Sequence, residues 1–272
     1  MRRLLPLTVI LALAACGKSD APSGGGGGSP PPASADQAGP SDPAPIDPAT
    51  VGTVTGTVRL QGWLKPDVPV PLLGIPYCAA QHPGGAPPGD TLVLGEGQTM
   101  ANVFVLVRSG LGKRKFPVND KPAILDQAGC IYKPHVLGVM TNQPVIVRNS
   151  DDTMHNVHFK PKLNPDSNRG QSSKGLEDTF KFAIPEPPFS VQCDVHPWMD
   201  AIVHVVSHPF FDVTGKDGVY KITGLPPGEY EIEARHERFK NASQIFKIKI
   251  GPKETVTQPI TFKGGPKPDP AK

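Results

Sequence analysis

Apolar residues in this chain recur at every second position, in short runs that stop at Gly, Pro, Asn or Asp. The clearest are "GTVTGTVRL", "NVFVLV", "PVIVRN", "HNVHF", "FSVQC", "AIVHVV", "VYKI", "YEIEA" and "IFKIKI". Such alternation marks strands with one face buried, and no window of helical length carries an apolar stripe of period 3.6. The 34 prolines press the same way, since they interrupt helices and collect in loops and at sheet edges. The expected fold is all-β, built as sandwiches.

The chain opens "MRRLLPLTVILALAACGKSD". Arg2 and Arg3 precede an apolar run, Leu4 to Ala15, that is too short to span a bilayer and has the layout of a signal peptide over residues 1–15. Leu13-Ala14-Ala15-Cys16 resembles the lipobox of bacterial lipoproteins, which implies cleavage before Cys16 and acylation of its thiol. Residues 16–50 then form a tether: of the 34 residues from Gly17 to Thr50, 20 are Gly, Pro or Ser. Such a segment buries too little to offset its ordering entropy and spans roughly 30 Å as a coil. The expected location is the bacterial cell envelope, on the periplasmic or cell-surface side. Gly17, in place of Asp after the lipidated Cys, points to the outer membrane. Residues 264–272 are expected to be a disordered tail.

Charge removes one class of partner. The chain has 28 Lys and Arg against 25 Asp and Glu, and loss of Arg2 and Arg3 leaves 26 against 25. No basic field is left for nucleic acid. Beyond Cys16 only Cys78, Cys130 and Cys193 remain. In an oxidising compartment an odd number leaves one thiol for a task other than pairing.

Two blocks stand out in the folded part. The block from Phe211 to Phe262 carries hairpin signals, with Asp217-Gly218 at a tight turn and "LPPGEY" at the next. Its "VTGKDGVYKITGLPPGEYEIEA" resembles the carboxypeptidase regulatory-like (transthyretin-like) domain, which implies a small β-sandwich without catalytic residues. That family opens on a G-x-V strand and a second alternating strand. Both lie far upstream here, at Gly52 to Leu60 and Ala101 to Val107. The expectation is therefore a discontinuous sandwich, 51–120 and 209–263, with residues 121–208 inserted into it.

The inserted block holds "CDVHPWM", with Cys193, His196 and Met199 on one loop between two strands. A blue-copper site needs two imidazoles, one thiolate and a weak axial thioether. "MHNVHF" offers the missing imidazole as His155, after a polar turn. The set resembles the cupredoxins, most closely the amicyanins, although "MHNVHF" is one residue shorter between Met154 and His155 than the family's segment. The resemblance implies one type 1 copper held by His155, Cys193, His196 and Met199. It implies that Asn156 braces the Cys loop and leaves His158 outside the coordination sphere. Met199 speaks against zinc, which could otherwise take a Cys and two His.

In that family the loop His presents its ring edge at the surface, so His196 is the expected electron exit. Pro197 and Trp198 would make an apolar docking patch, with core packing the alternative for Trp198. The implied function is outer-sphere carriage of single electrons between redox proteins, such as a cytochrome or a dehydrogenase, by a lipid-anchored monomer. No enzyme activity is expected, because four protein ligands leave no position for a substrate and no His-rich motif supplies a second copper centre. The alternatives are a binding module whose copper is structural, and a copper storage or delivery protein. Cys78 and Cys130 form a disulfide, or else join His82 and His135 in a second Cys2His2 site.

Overall fold

The computed structural model describes residues 45–240 and 242–269. The leader, Cys16 and most of the tether lie outside them. Within them the chain is all-β, with seventeen strands. In order these are β1 Gly52–Gln61, β2 Phe104–Ser109, β3 Ala123–Gln127, β4 Tyr132–Lys133, β5 Val136–Met140 and β6 Val145–Asn149. There follow β7 His155–Phe159, β8 Ser167–Gln171, β9 Glu177–Phe180, β10 Glu186–Gln192 and β11 Asp200–Val206. The last six are β12 Phe211–Val213, β13 Val219–Leu225, β14 Gly228–Arg235, β15 Gln244–Ile250, β16 Thr255–Thr257 and β17 Ile260–Lys263. The long connection from β1 to β2 holds one short α-helix, α1 Pro76–Ala80, and two single 3-10 turns.

Four sheets result. The first has the order β13-β1-β16, with β17 also on β1, and the second has the order β12-β2-β14-β15. The third runs β5-β11-β10-β7-β8 and the fourth β4-β3-β6-β9. The two strands before residue 121 thus pair with strands after residue 210: Val54 faces Ile222, and Val105 faces both Asp212 and Ala234. Among the described residues, strands β3 to β11 pair only with one another.

Alternation places the cores. Along β2 and the residue before it, Val103, Val105 and Val107 enter one core with Val54, Val58, Tyr220, Ile222, Ile232 and Phe262. Phe104 and Leu106 point the opposite way and meet Val136 and Val206 of β5 and β11. Strand β11 repeats this division, sending Ala201, Val203 and Val205 into the core of the β3–β11 sandwich. Period-two geometry turns such doubly apolar strands into the middle layers of a stack. Gly138 permits the contact, because a Cβ there would stand 2.6 Å from the rings of Phe104 and Phe211.

Two segments depart from the expected boundaries. The expected tail is ordered at its start, because Gly264 N–H donates to Gln61 O at 2.8 Å and Gly265 N–H to Trp63 O at 2.9 Å, which ties it to the end of β1. Leu72 and Cys78, with Val70, Ile75 and Tyr77 against them, pack into the β3–β11 core although they fall within 51–120. The connection from β1 to β2 is long enough to cross over, and its apolar side chains hold it there. Among the described residues no helix is long and apolar enough to cross a membrane.

Candidate metal centre

His155 is the first residue of β7 and is fully buried. Cys193 follows β10 directly, and the loop to β11 is closed by its own backbone: Cys193 N–H donates to Met199 O at 3.0 Å, and Met199 N–H donates to His196 O at 2.8 Å. That tight turn brings Cys193 and His196 to the same end of the sandwich as His155. His155 Nδ1 lies 2.9 Å from His196 Nδ1, and Cys193 Sγ lies 3.6 Å from His196 Nδ1. Each of the three is at most 2% exposed, and one donor atom from each falls within 4.8 Å of the others. Met199, from the same loop, is 1% exposed and belongs to the core of the β3–β11 sandwich.

Asn156 links the two halves of the site. Its Oδ1 accepts from the N–H groups of Asp194 (2.6 Å) and Val195 (3.3 Å), and its Nδ2 donates to Asn168 Oδ1 (2.8 Å) and Asp194 Oδ2 (3.0 Å). Its own N–H points at Cys193 Sγ, 3.5 Å away. Such bonds fix a ligand loop before any ion arrives. His158, by contrast, points to Asp194 and Asp166 and takes no part in the donor cluster.

Sequence reasoning missed Asp151. Its Oδ2 is 2.9 Å from His155 Nε2, so the ring nitrogen away from the donor cluster is held by a carboxylate. The carboxylate also accepts the backbone N–H of Gly129 at 2.7 Å and of Cys130 at 2.8 Å. Burial would raise its pKa, but the bonds from His155, Cys130 and Gly129 hold it below the usual carboxylate range. Burial also pushes the Cys193 thiol up, yet hydrogen bonding to His155 and His196 carries it down to about 6. A thiol so poised is ready to serve as a thiolate. The signal for Asp151 was its place four residues before His155, but Asp152 beside it looks identical in sequence.

Two expectations about the surroundings fail. His196 does not present a ring edge at the surface: it is 1% exposed. The Trp198 ring lies 5.2 Å from its own, and the sulfurs of Cys78 and Cys130 lie within 4.8 Å of one of its ring nitrogens. The Cys2His2 alternative fails as well. Cys78 and Cys130 are joined by a disulfide with a Cα–Cα distance of 5.6 Å. His82 Nε2 instead meets Gly129 O at 2.8 Å, and His135 is engaged by Asp90 and Glu237. Of the suggested docking pair, Pro197 is exposed, while Trp198 is half-buried and donates Nε1–H to Cys130 O at 3.0 Å.

A β-sandwich carrying a buried His–Cys–His donor cluster at one end is the class that fold and site define. No family model and no curated protein sequence matches the chain. Among solved structures, a Cu(I) form of an amicyanin variant is 22% identical, over 36% of this chain and 96% of that one, with a TM-score of 0.28. A purple cupredoxin from Nitrosopumilus maritimus is 22% identical over 30% of this chain and 98% of its own, with a TM-score of 0.26. A copper-containing nitrite reductase from Thermus scotoductus SA-01 is 17% identical over 37% of this chain, with a TM-score of 0.30. This chain spans only 26% of that reductase. At such scores the likenesses carry no functional weight, which rests on the residues themselves.

Proposed function

We propose that the protein is a lipid-anchored type 1 copper protein that carries single electrons between redox proteins of the bacterial envelope. One observation carries the reading: two imidazole nitrogens and a thiol converge, buried, on a loop that also buries Met199. Two imidazoles, one thiolate and a weak thioether are the donor set of blue copper, and the residues present fit it. His155, Cys193 and His196 would hold the ion, with Met199 as the weak fourth ligand. A bound copper supplies a one-electron couple.

The chain's own part is to keep the donors in place and dry. Asp151 fixes the His155 ring and Asn156 fixes the Cys193 loop, so little needs to move when charge changes. A centre with four protein ligands offers no substrate position, which favours a carrier over an enzyme. In this reading β3 to β11 form a cupredoxin domain inserted into a carboxypeptidase regulatory-like sandwich, which the pairing of β1 and β2 with strands beyond Phe211 supports. Cys16 would carry the lipid, and the electron partner would be a cytochrome or a dehydrogenase.

The test is the visible spectrum and voltammetry of the copper-loaded fragment from residue 45 onward. An intense blue charge-transfer band with a reversible one-electron wave is expected, and a colourless protein after loading removes the reading. The burial of His196 favours a second reading, in which the copper is structural. Copper that stays bound but cannot be cycled by small-molecule oxidants and reductants would select it.

A further inference from the structure

The Cys78–Cys130 disulfide fastens α1 to the β3–β11 sandwich, and its place in the fold exceeds what a staple requires. Both sulfurs are fully buried. A ring nitrogen of His196 lies within 4.8 Å of each of them. His196 is therefore common to two donor groups, one with His155 and Cys193, the other with Cys78 and Cys130. Around the disulfide, Tyr77 Oη accepts the N–H of Asp152 at 2.7 Å and His82 Nε2 meets Gly129 O at 2.8 Å, so α1 has attachments besides the S–S bond. Trp198 donates to Cys130 O from the ligand loop itself. The two sulfurs and the imidazole are held together by contacts that do not depend on the disulfide.

We propose that Cys78, Cys130 and His196 form a second soft-metal site in the dithiol state of the protein, suited to monovalent copper. It rests on the proposed copper centre only in sharing His196 with it. Thiolates select Cu(I), and two thiolates with one imidazole satisfy its low coordination number. Reduction by an external dithiol breaks the Cys78–Cys130 bond, transfers two electrons and two protons to give two thiols, and leaves the reductant as its disulfide. Cu(I) then replaces the two thiol protons, which pass to solvent, and its oxidation state is unchanged. Reoxidation by a disulfide-bearing oxidant re-forms the bond and abolishes the site.

The experiment uses Cys193→Ser in the fragment from residue 45, which removes the first centre and so separates the two proposals. Cu(I) is titrated anaerobically against a competing chelator. Reduced protein is expected to hold one Cu(I) at least about tenfold more tightly than oxidised protein. Adding Cys78→Ser should remove that gain, and adding His196→Gln to the reduced protein should weaken binding by about tenfold. Equal affinity in the two redox states overturns the proposal. Copper X-ray absorption covers the case in which the reduced variant unfolds. Two sulfur and one imidazole scatterer are expected, and sulfur scatterers alone, from folded or unfolded chain, overturn it as well.

Discussion

The two sandwiches treat polar atoms differently. Among the described residues sixteen polar or charged ones are buried, and twelve of these lie between residues 123 and 206, although both sandwiches have a dense apolar core. The core around Val54, Tyr220 and Ile232 is closed by aliphatic and aromatic groups, and each of its two tyrosine hydroxyls finds a backbone carbonyl at its margin. In the β3–β11 sandwich the polar groups form a chain instead. Gln127 donates to Gln171 Oε1 at 2.5 Å, Asn149 donates to Gln171 O, and Asp151 N–H donates to Asn149 Oδ1. The last step is Asp151 to His155. A buried polar group without a partner costs about 1–3 kcal/mol, so such a chain persists where its end serves a purpose. Here the end is the donor cluster.

The largest test of this contrast is Cys193→Ser. Loss of the thiolate should abolish the charge-transfer colour of the loaded protein while its far-ultraviolet circular dichroism stays unchanged. Ile232→Ala should behave in the opposite way. A fully buried isoleucine removed from the apolar core should cost about 3 kcal/mol, read from denaturant unfolding, and leave the colour intact. If it alters the spectrum, the two regions are not independent.

Asp151→Asn addresses the polar chain itself. Copper affinity should fall about 10–100-fold in chelator competition, because the amide no longer fixes His155 as a charged acceptor does. Met199→Leu should keep a coloured site but raise its reduction potential in voltammetry, since loss of the thioether favours Cu(I).

The smallest effect concerns the junction of the sandwiches, where His135 meets Asp90 and Glu237. Burial alone would lower its pKa, but its contacts with the carboxylates of Asp90 and Glu237 raise it to about 10 from the ordinary 6.5. The folded pKa exceeds the unfolded one, so this contribution is complete below pH 6.5 and lost as pH rises through about 10. Unfolding midpoints should fall across that window in the native chain, and His135→Gln should flatten the fall.

Local patterns were legible in the sequence. The alternating runs became β1, β2, β6, β7, β10, β11, β13, β14 and β15. Strand β8, "SNRGQ", and strand β9, "EDTF", escaped notice because three of the five residues of one and two of the four of the other are exposed, which leaves no apolar rhythm. Cys193, His196 and Met199 could be singled out because one loop carries all three. Asp151 could not be told from Asp152, since only the fold decides which carboxylate turns inward. The cover over His196 was equally invisible: Cys78 arrives from the connection between β1 and β2, and no local spacing records that approach.

Strand β1 has a consequence for how the chain is made. It is synthesised early, yet its partners β13, β16 and β17 lie near the far end, with Val54 waiting for Val256 and Val58 for Ile260. Domains close as they are synthesised, and long-range strand pairs close last. Strands β3 to β11 can therefore complete their pairing while β1 still shows two open edges and the apolar face of Val54, Val58 and Leu60. An uncovered strand of that kind invites pairing with another chain. During biogenesis the hazard to this protein sits in its first strand, far from the donor cluster.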